Sequence, residues 1–133
     1  MMAPFLASIV AAAVALSGYP ATDVDINVEH RSHVEMVKMA GCNDDCPIMG
    51  LVMFDSPHTV QLDDRLHPER NVHDRSILIH EVIHVLQFIA GKTQHDCPTW
   101  LANEKEAYRL QRNYLESEGR YISPSLTPAF VEC

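Results

Sequence analysis

Apolar side chains recur at helical spacing through Asp74–Gly91, where Ile77, Leu78, Val82, Val85, Leu86 and Ile89 make one broad stripe. Asp74 reads as the N-cap and Gly91 as the stop. A stripe that wide must be covered from more than one side, so this helix is expected at the centre of the fold. It also carries His80-Glu81-Val82-Ile83-His84. Positions four apart on an α-helix lie one above the other. His80 and His84 can therefore offer two imidazole nitrogens to one ion, with Glu81 beside them. This is the H-E-x-x-H spacing, in which two histidines bind zinc and the glutamate acts as general base on a zinc-bound water. Five residues also meet by chance on a solvated helix face, so the motif needs a third ligand.

A second helix over 98–117 supplies candidates. Pro98 suits its first turn and Gly119 ends it. Trp100, Leu101, Glu104, Ala107, Tyr108, Gln111 and Leu115 share one face that carries the large apolar residues and so points inward. Glu104 thus falls in an apolar stripe, where an unpaired carboxylate is costly. Glu106 shares its face with Arg109, Arg112 and Asn113, which reads as solvated. Glu104 is the preferred third ligand and Glu106 the alternative. Gln87, one turn after His84, either hydrogen-bonds within the site or caps the helix face. Ser76 reads as helix surface, Trp100 as core, and His73 and His95 as surface residues in flanking loops.

Upstream, Val24, Ile26 and Val28 alternate with Asp23, Asp25 and Asn27 as in a half-buried strand. Ser32 and Glu35 form a capping box for a short helix over 33–40, with Val34, Val37 and Ala40 as its apolar face and Gly41 as its stop. His30 and His33 read as surface or capping residues. Ile48–Phe54 reads as a buried strand and Thr59–Leu66 as a strand fraying after Leu62, with a hairpin across Asp55–His58. The tail from Arg120 reads as irregular.

The chain has 133 residues, enough for one small domain. Its net charge is −8 and no Lys/Arg cluster is present, which disfavours nucleic acid and anionic membranes as partners. Phe5–Leu16 is apolar, too short to span a bilayer and suited to a secretory h-region. Residues 1–21 are therefore expected as a signal peptide, cleaved after Ala13-Val14-Ala15 or near Tyr19-Pro20-Ala21, with one domain over 22–133. The alternative is an apolar N-terminal helix that stays with the domain. An even set of Cys42, Cys46, Cys97 and Cys133 after a signal suggests disulfides, with Cys42–Cys46 and Cys97–Cys133 preferred. A second metal site using Cys42 and Cys46 is the competing reading.

His80-Glu81-Val82-Ile83-His84, followed by Glu104-Lys105-Glu106-Ala107-Tyr108, resembles the gluzincin branch of zinc metallopeptidases, closest to small secreted bacterial proteins with a compact zincin-like domain. The resemblance covers about residues 59–115. It implies an α+β fold, a small sheet packed on the motif helix and a second helix with the third ligand. It implies zinc held by His80, His84 and Glu104, with Glu81 as general base. In that branch the position of Tyr108 holds an Asp that orients a zinc-bound histidine. Tyr108 is a departure, and its hydroxyl is expected either in that role or polarising a substrate carbonyl. The expected function is a secreted or periplasmic zinc hydrolase acting on a peptide or protein, with Thr59–Leu62 as the sheet edge that receives the substrate. The rivals are a zinc-stabilised binding module, a zinc amidase of cell-wall peptides, and a disulfide-stapled interaction protein without metal. No stable membrane anchor is expected once the signal is cleaved.

Overall fold

The computed structural model describes residues 2–20, 23, 25–43, 46–92 and 94–120. Among them the chain forms a small α+β fold with four helices and one three-stranded sheet. In chain order these are α1 (Pro4–Ser17), β1 (Asn27–Arg31), α2 (His33–Ala40), β2 (Gly50–Met53), β3 (Ser56–Asp63), α3 (Val72–Ile89) and α4 (Cys97–Ser117).

The sheet order is β1-β3-β2, with β1 parallel and β2 antiparallel to β3. The expected hairpin forms, with a shorter turn at Phe54-Asp55 and a register shift between Val52 and Met53. The longer reach of β3 corrects two expectations. It starts at Ser56, because Pro57 lies ahead of the stretch that pairs with β1 from Thr59 onward, so its missing N–H costs no bond to β1. It is also the central strand, so Thr59–Leu62 is not a free edge: Val60 faces Val28 on one side and Val52 on the other. The edges are β1 and β2. Pairing of β1 across the α2 connection is a long-range choice that the local pattern around residue 60 does not encode.

β3 is covered on both faces. Successive side chains alternate across a strand, so Val60 and Leu62 join the main core while Gln61 and Asp63 turn the other way and are equally buried. On that second face His33 Nδ1 lies 2.9 Å from Asp63 Oδ2, and the Arg65 guanidinium brackets the same carboxylate at 2.8 and 2.9 Å. The expected capping box of Ser32 and Glu35 is present on α2. The inward face of α2 is Met36 and Val37, however, while Val34 is 64% exposed. The His33–Asp63 bond sets the helix rotation and carries Val34 outward. Arg31 Nε donates to Gln61 Oε1, a second tie on this face. Ile26, just before β1, and Val28 within it keep the inward alternation, but the strand runs on to Arg31 because its partner β3 does.

α3 is the central helix, as its stripe requires. It touches β2, β3, α1 and α4. Its N-cap is Asn71 rather than Asp74: the Asn71 side chain accepts from Asp74 N, and Asp74 in turn accepts from His67 N. Asp74 thus sits in the first turn, where a carboxylate also meets the positive end of the helix dipole. α4 starts in a capping box of Asp96 and Thr99. α1 buries Ile9, Val10 and Ala13 in the core and contacts α3 and α4. Cys42 and Cys46 form a disulfide across their turn. The expected partner of Cys97, Cys133, and the tail from residue 121 lie outside the described residues. No described helix is long and apolar enough to cross a membrane.

Candidate metal centre

α3 and α4 pack side by side, and their shared seam is polar at one level. His80 Nε2, His84 Nε2 and Glu104 Oε1 face one another there: the two ring nitrogens are 3.1 Å apart, and Glu104 Oε1 is 3.0 Å from His80 and 2.5 Å from His84. The helix repeat stacks the two rings, whose centroids are 4.8 Å apart. α4 brings Glu104 to them from the side. Among the described residues this is the one cluster of His, Cys, Asp and Glu with metal-ligand proximity.

Two imidazole nitrogens and one carboxylate oxygen are the donor set that zinc takes in open catalytic sites. The residues fit such an ion chemically. Three donor atoms converge on one point, and no Lys or Arg among the described residues pairs with Glu104. Burial opposes charge on His84, but the Glu104 carboxylate and nearby Glu81 outweigh it and raise the ring to about 9. Burial likewise opposes ionisation of Glu104, yet its bonds to His80 and His84 hold the carboxyl well below the usual range.

Glu81 lies in the floor of a cleft of about 620 Å³ whose walls include β2, His84, Glu104, Tyr108 and Trp100. Its carboxylate is 3.9 Å from His80 Nε2. Burial pushes its carboxyl up, against the pull of the two histidines. β2 crosses directly over it at Gly50. A Cβ there would stand 2.7 Å from Glu81 Cγ and 2.9 Å from Oε2, so only glycine admits the strand at this height. Sequence reading passed over Gly50; its signal was a glycine inside an otherwise apolar strand run.

Glu106 stands away from the histidines and accepts from the Tyr19 hydroxyl and from Gln87 Nε2, with Lys92 Nζ at 3.8 Å. Gln87 is fully buried and bonds within the site: its Oε1 lies 2.8 Å from His84 Nδ1. Ser76 is buried rather than on the surface. Trp100 is half-buried in the cleft wall rather than in the core. His95 is exposed, and His73 lies at the start of α3 beside the cleft. Tyr108 packs edge-on against His80, with ring centroids 4.4 Å apart. It does not take the Nδ1 side of His80, which Gln111 Oε1 holds at 2.9 Å. Tyr108 faces the cleft instead, and burial with the neighbouring Glu104 and Glu81 raises its phenol, keeping the proton on. Gln111 lies on the inward face of α4, seven residues after Glu104, and its residue type alone assigns it no role.

A family model described as "Domain of unknown function (DUF6647)" matches residues 21–126, a range that holds every residue of the cluster. No curated protein and no solved structure matches the chain.

Proposed function

We propose that this chain, which belongs to the DUF6647 family, is a secreted zinc-dependent hydrolase with a zincin-like domain, and that its reaction is hydrolysis of a peptide bond. The observation that carries the reading is the convergence of His80 Nε2, His84 Nε2 and Glu104 Oε1 beside a buried Glu81 in a cleft. A purely structural ion site has no use for Glu81.

His80, His84 and Glu104 would hold the ion. Zinc, when bound, supplies Lewis acidity that acidifies water and polarises a carbonyl. Glu81 accepts the proton of the attacking water and hands it to the leaving nitrogen; burial, which raises its carboxyl, favours taking that proton up. Tyr108, kept as the phenol, donates to the carbonyl oxygen as negative charge grows there. The free edge of β2, which lines the cleft, pairs with an extended peptide by main-chain hydrogen bonds. This edge replaces the one expected at Thr59–Leu62.

Support for export comes from the Cys42–Cys46 disulfide and from the apolar stretch before residue 21. In this reading α1 leaves with the signal, uncovering the parts of α3 and α4 it touches. N-terminal sequencing of the exported protein tests the point: a start near residue 22 fits, and a chain that still carries α1 refutes it.

The activity is tested with Glu81→Gln and peptide substrates. The variant should keep about one zinc per chain and lose roughly 10²–10⁴-fold in turnover. Full turnover by the variant would mean another group moves the proton.

A further inference from the structure

Both histidines of the cluster turn their second nitrogen to a buried glutamine. His80 Nδ1 lies 2.9 Å from Gln111 Oε1, and His84 Nδ1 lies 2.8 Å from Gln87 Oε1. An amide can face a ring with its oxygen or its nitrogen, and the choice decides which ring nitrogen carries the proton. Here the far ends of both amides settle it.

Gln111 Nε2 reaches Ser76 Oγ at 3.1 Å, and the Ser76 hydroxyl donates to the His73 carbonyl at 2.6 Å. That hydroxyl has spent its single proton, so it can only accept from Gln111. The Gln111 amide nitrogen must therefore face Ser76, and its oxygen must face His80. Gln87 is constrained more tightly. Its Nε2 lies 2.9 Å from the Asn103 carbonyl and 3.1 Å from Glu106 Oε1, both acceptors only. Its oxygen must face His84. Each histidine is thus obliged to donate from Nδ1, which leaves Nε2 of the neutral ring with its lone pair toward Glu104.

Ser76, Gln87 and Gln111 are 1%, 1% and 5% exposed. Burying such groups without partners costs free energy that an apolar seam would avoid. Apolar residues fill the neighbouring positions Ile79, Val82, Ile83 and Leu110, so packing alone does not call for amides here.

We infer that Gln87 and Gln111 are positioning residues that fix both histidines as Nδ1–H tautomers and aim their Nε2 atoms at a metal ion. Each does so with a neutral amide. The inference rests on the zinc reading of the cluster. A carboxylate partner raises the basicity of a ligating ring, whereas an amide orients it and adds no charge. Among the described residues, Glu104 and Glu81 are the carboxylates beside the histidines that would balance the ion.

The test is zinc affinity of the full chain, measured by competition with a chromogenic chelator, for wild type, Gln111→Met, Gln87→Met and Gln111→Glu. Each Met variant should bind zinc about 10–100-fold more weakly. Gln111→Glu keeps the acceptor and should bind at least as tightly as wild type. Proton NMR of the zinc-loaded protein supplies a readout that loss of packing would not move selectively. Wild type should show two slowly exchanging imidazole N–H signals, and Gln111→Met should lose the one from His80 while keeping the one from His84. Met variants with affinity within about twofold of wild type would overturn the inference and leave the zinc site standing. Should a Met variant fail to fold, Gln111→Glu decides: zinc binding weakened tenfold or more overturns the inference. If wild type itself takes up no zinc, the metal reading fails and this inference with it.

Discussion

Two carboxylates, the fully buried Asp63 and the half-buried Glu104, each take histidine partners, and they differ in what else answers their charge. Asp63 is fully buried and meets His33 together with the Arg65 guanidinium and the Arg65 backbone N–H. Its cluster carries its own permanent cation. Among the described residues Glu104 meets His80 and His84 and no Lys or Arg, and Glu81 adds a second carboxylate close by. That cluster becomes neutral only by taking up a proton or an ion. Arg stays charged at any physiological pH, whereas an imidazole can exchange its proton for a metal ion. The comparison separates a histidine–carboxylate pair that locks a fold from one that leaves room for a cation from outside. Position agrees: Asp63 ties β3 to α2, while Glu104 opens on the cleft.

The largest expected effect tests that asymmetry directly. Zinc at about a thousand times its dissociation constant should stabilise the wild-type fold by about 4 kcal/mol. In Glu104→Ala the zinc content should fall below about a tenth of an equivalent and the stabilisation should vanish. Thermal unfolding with and without zinc, alongside metal analysis, reads both. Equal stabilisation of the variant would place the ion elsewhere and remove the contrast.

A smaller effect belongs to Asp63. The Arg65 hydrogen bonds outweigh burial and lower its carboxyl from 3.8 to about 2. A lowered folded value means the stabilisation is complete above the unfolded value and is lost as pH falls through the folded one. The loss therefore runs from about pH 4 down to about pH 2 and amounts to about 1–2 kcal/mol, allowing for the solvent exposure of Arg65. Asp63→Asn should flatten this acid limb in urea unfolding series at stepped pH. An unchanged limb in the variant would assign the acid sensitivity to other carboxylates.

Legibility in the sequence divides along the same line. His80, Glu81, His84 and Glu104 were readable because helical spacing is local: an i, i+4 pair and an apolar stripe state which side chains share a face. The capping box at Ser32 and the stops at Gly41 and Gly119 follow from residue types within one turn. The Asp63 cluster was not readable, since it joins residues thirty apart whose meeting depends on β1 docking beside β3. The misplaced edge strand, the rotated face of α2 and the buried Ser76 have the same origin. In each, a long-range partner chose between local options of similar merit.

Gln111 shows the boundary most clearly. Its residue type and its place on the inward face of α4 were visible from the start, but an amide is silent until its neighbours are known. Helices α3 and α4, and the side chains each offers to a candidate ion site, follow from spacing along the chain, because backbone geometry repeats. The central place of β3, the closeness of Gly50 to Glu81 and the direction of the Gln87 and Gln111 amides were settled by tertiary packing. Each depends on which groups from distant segments are brought within hydrogen-bonding or van der Waals reach.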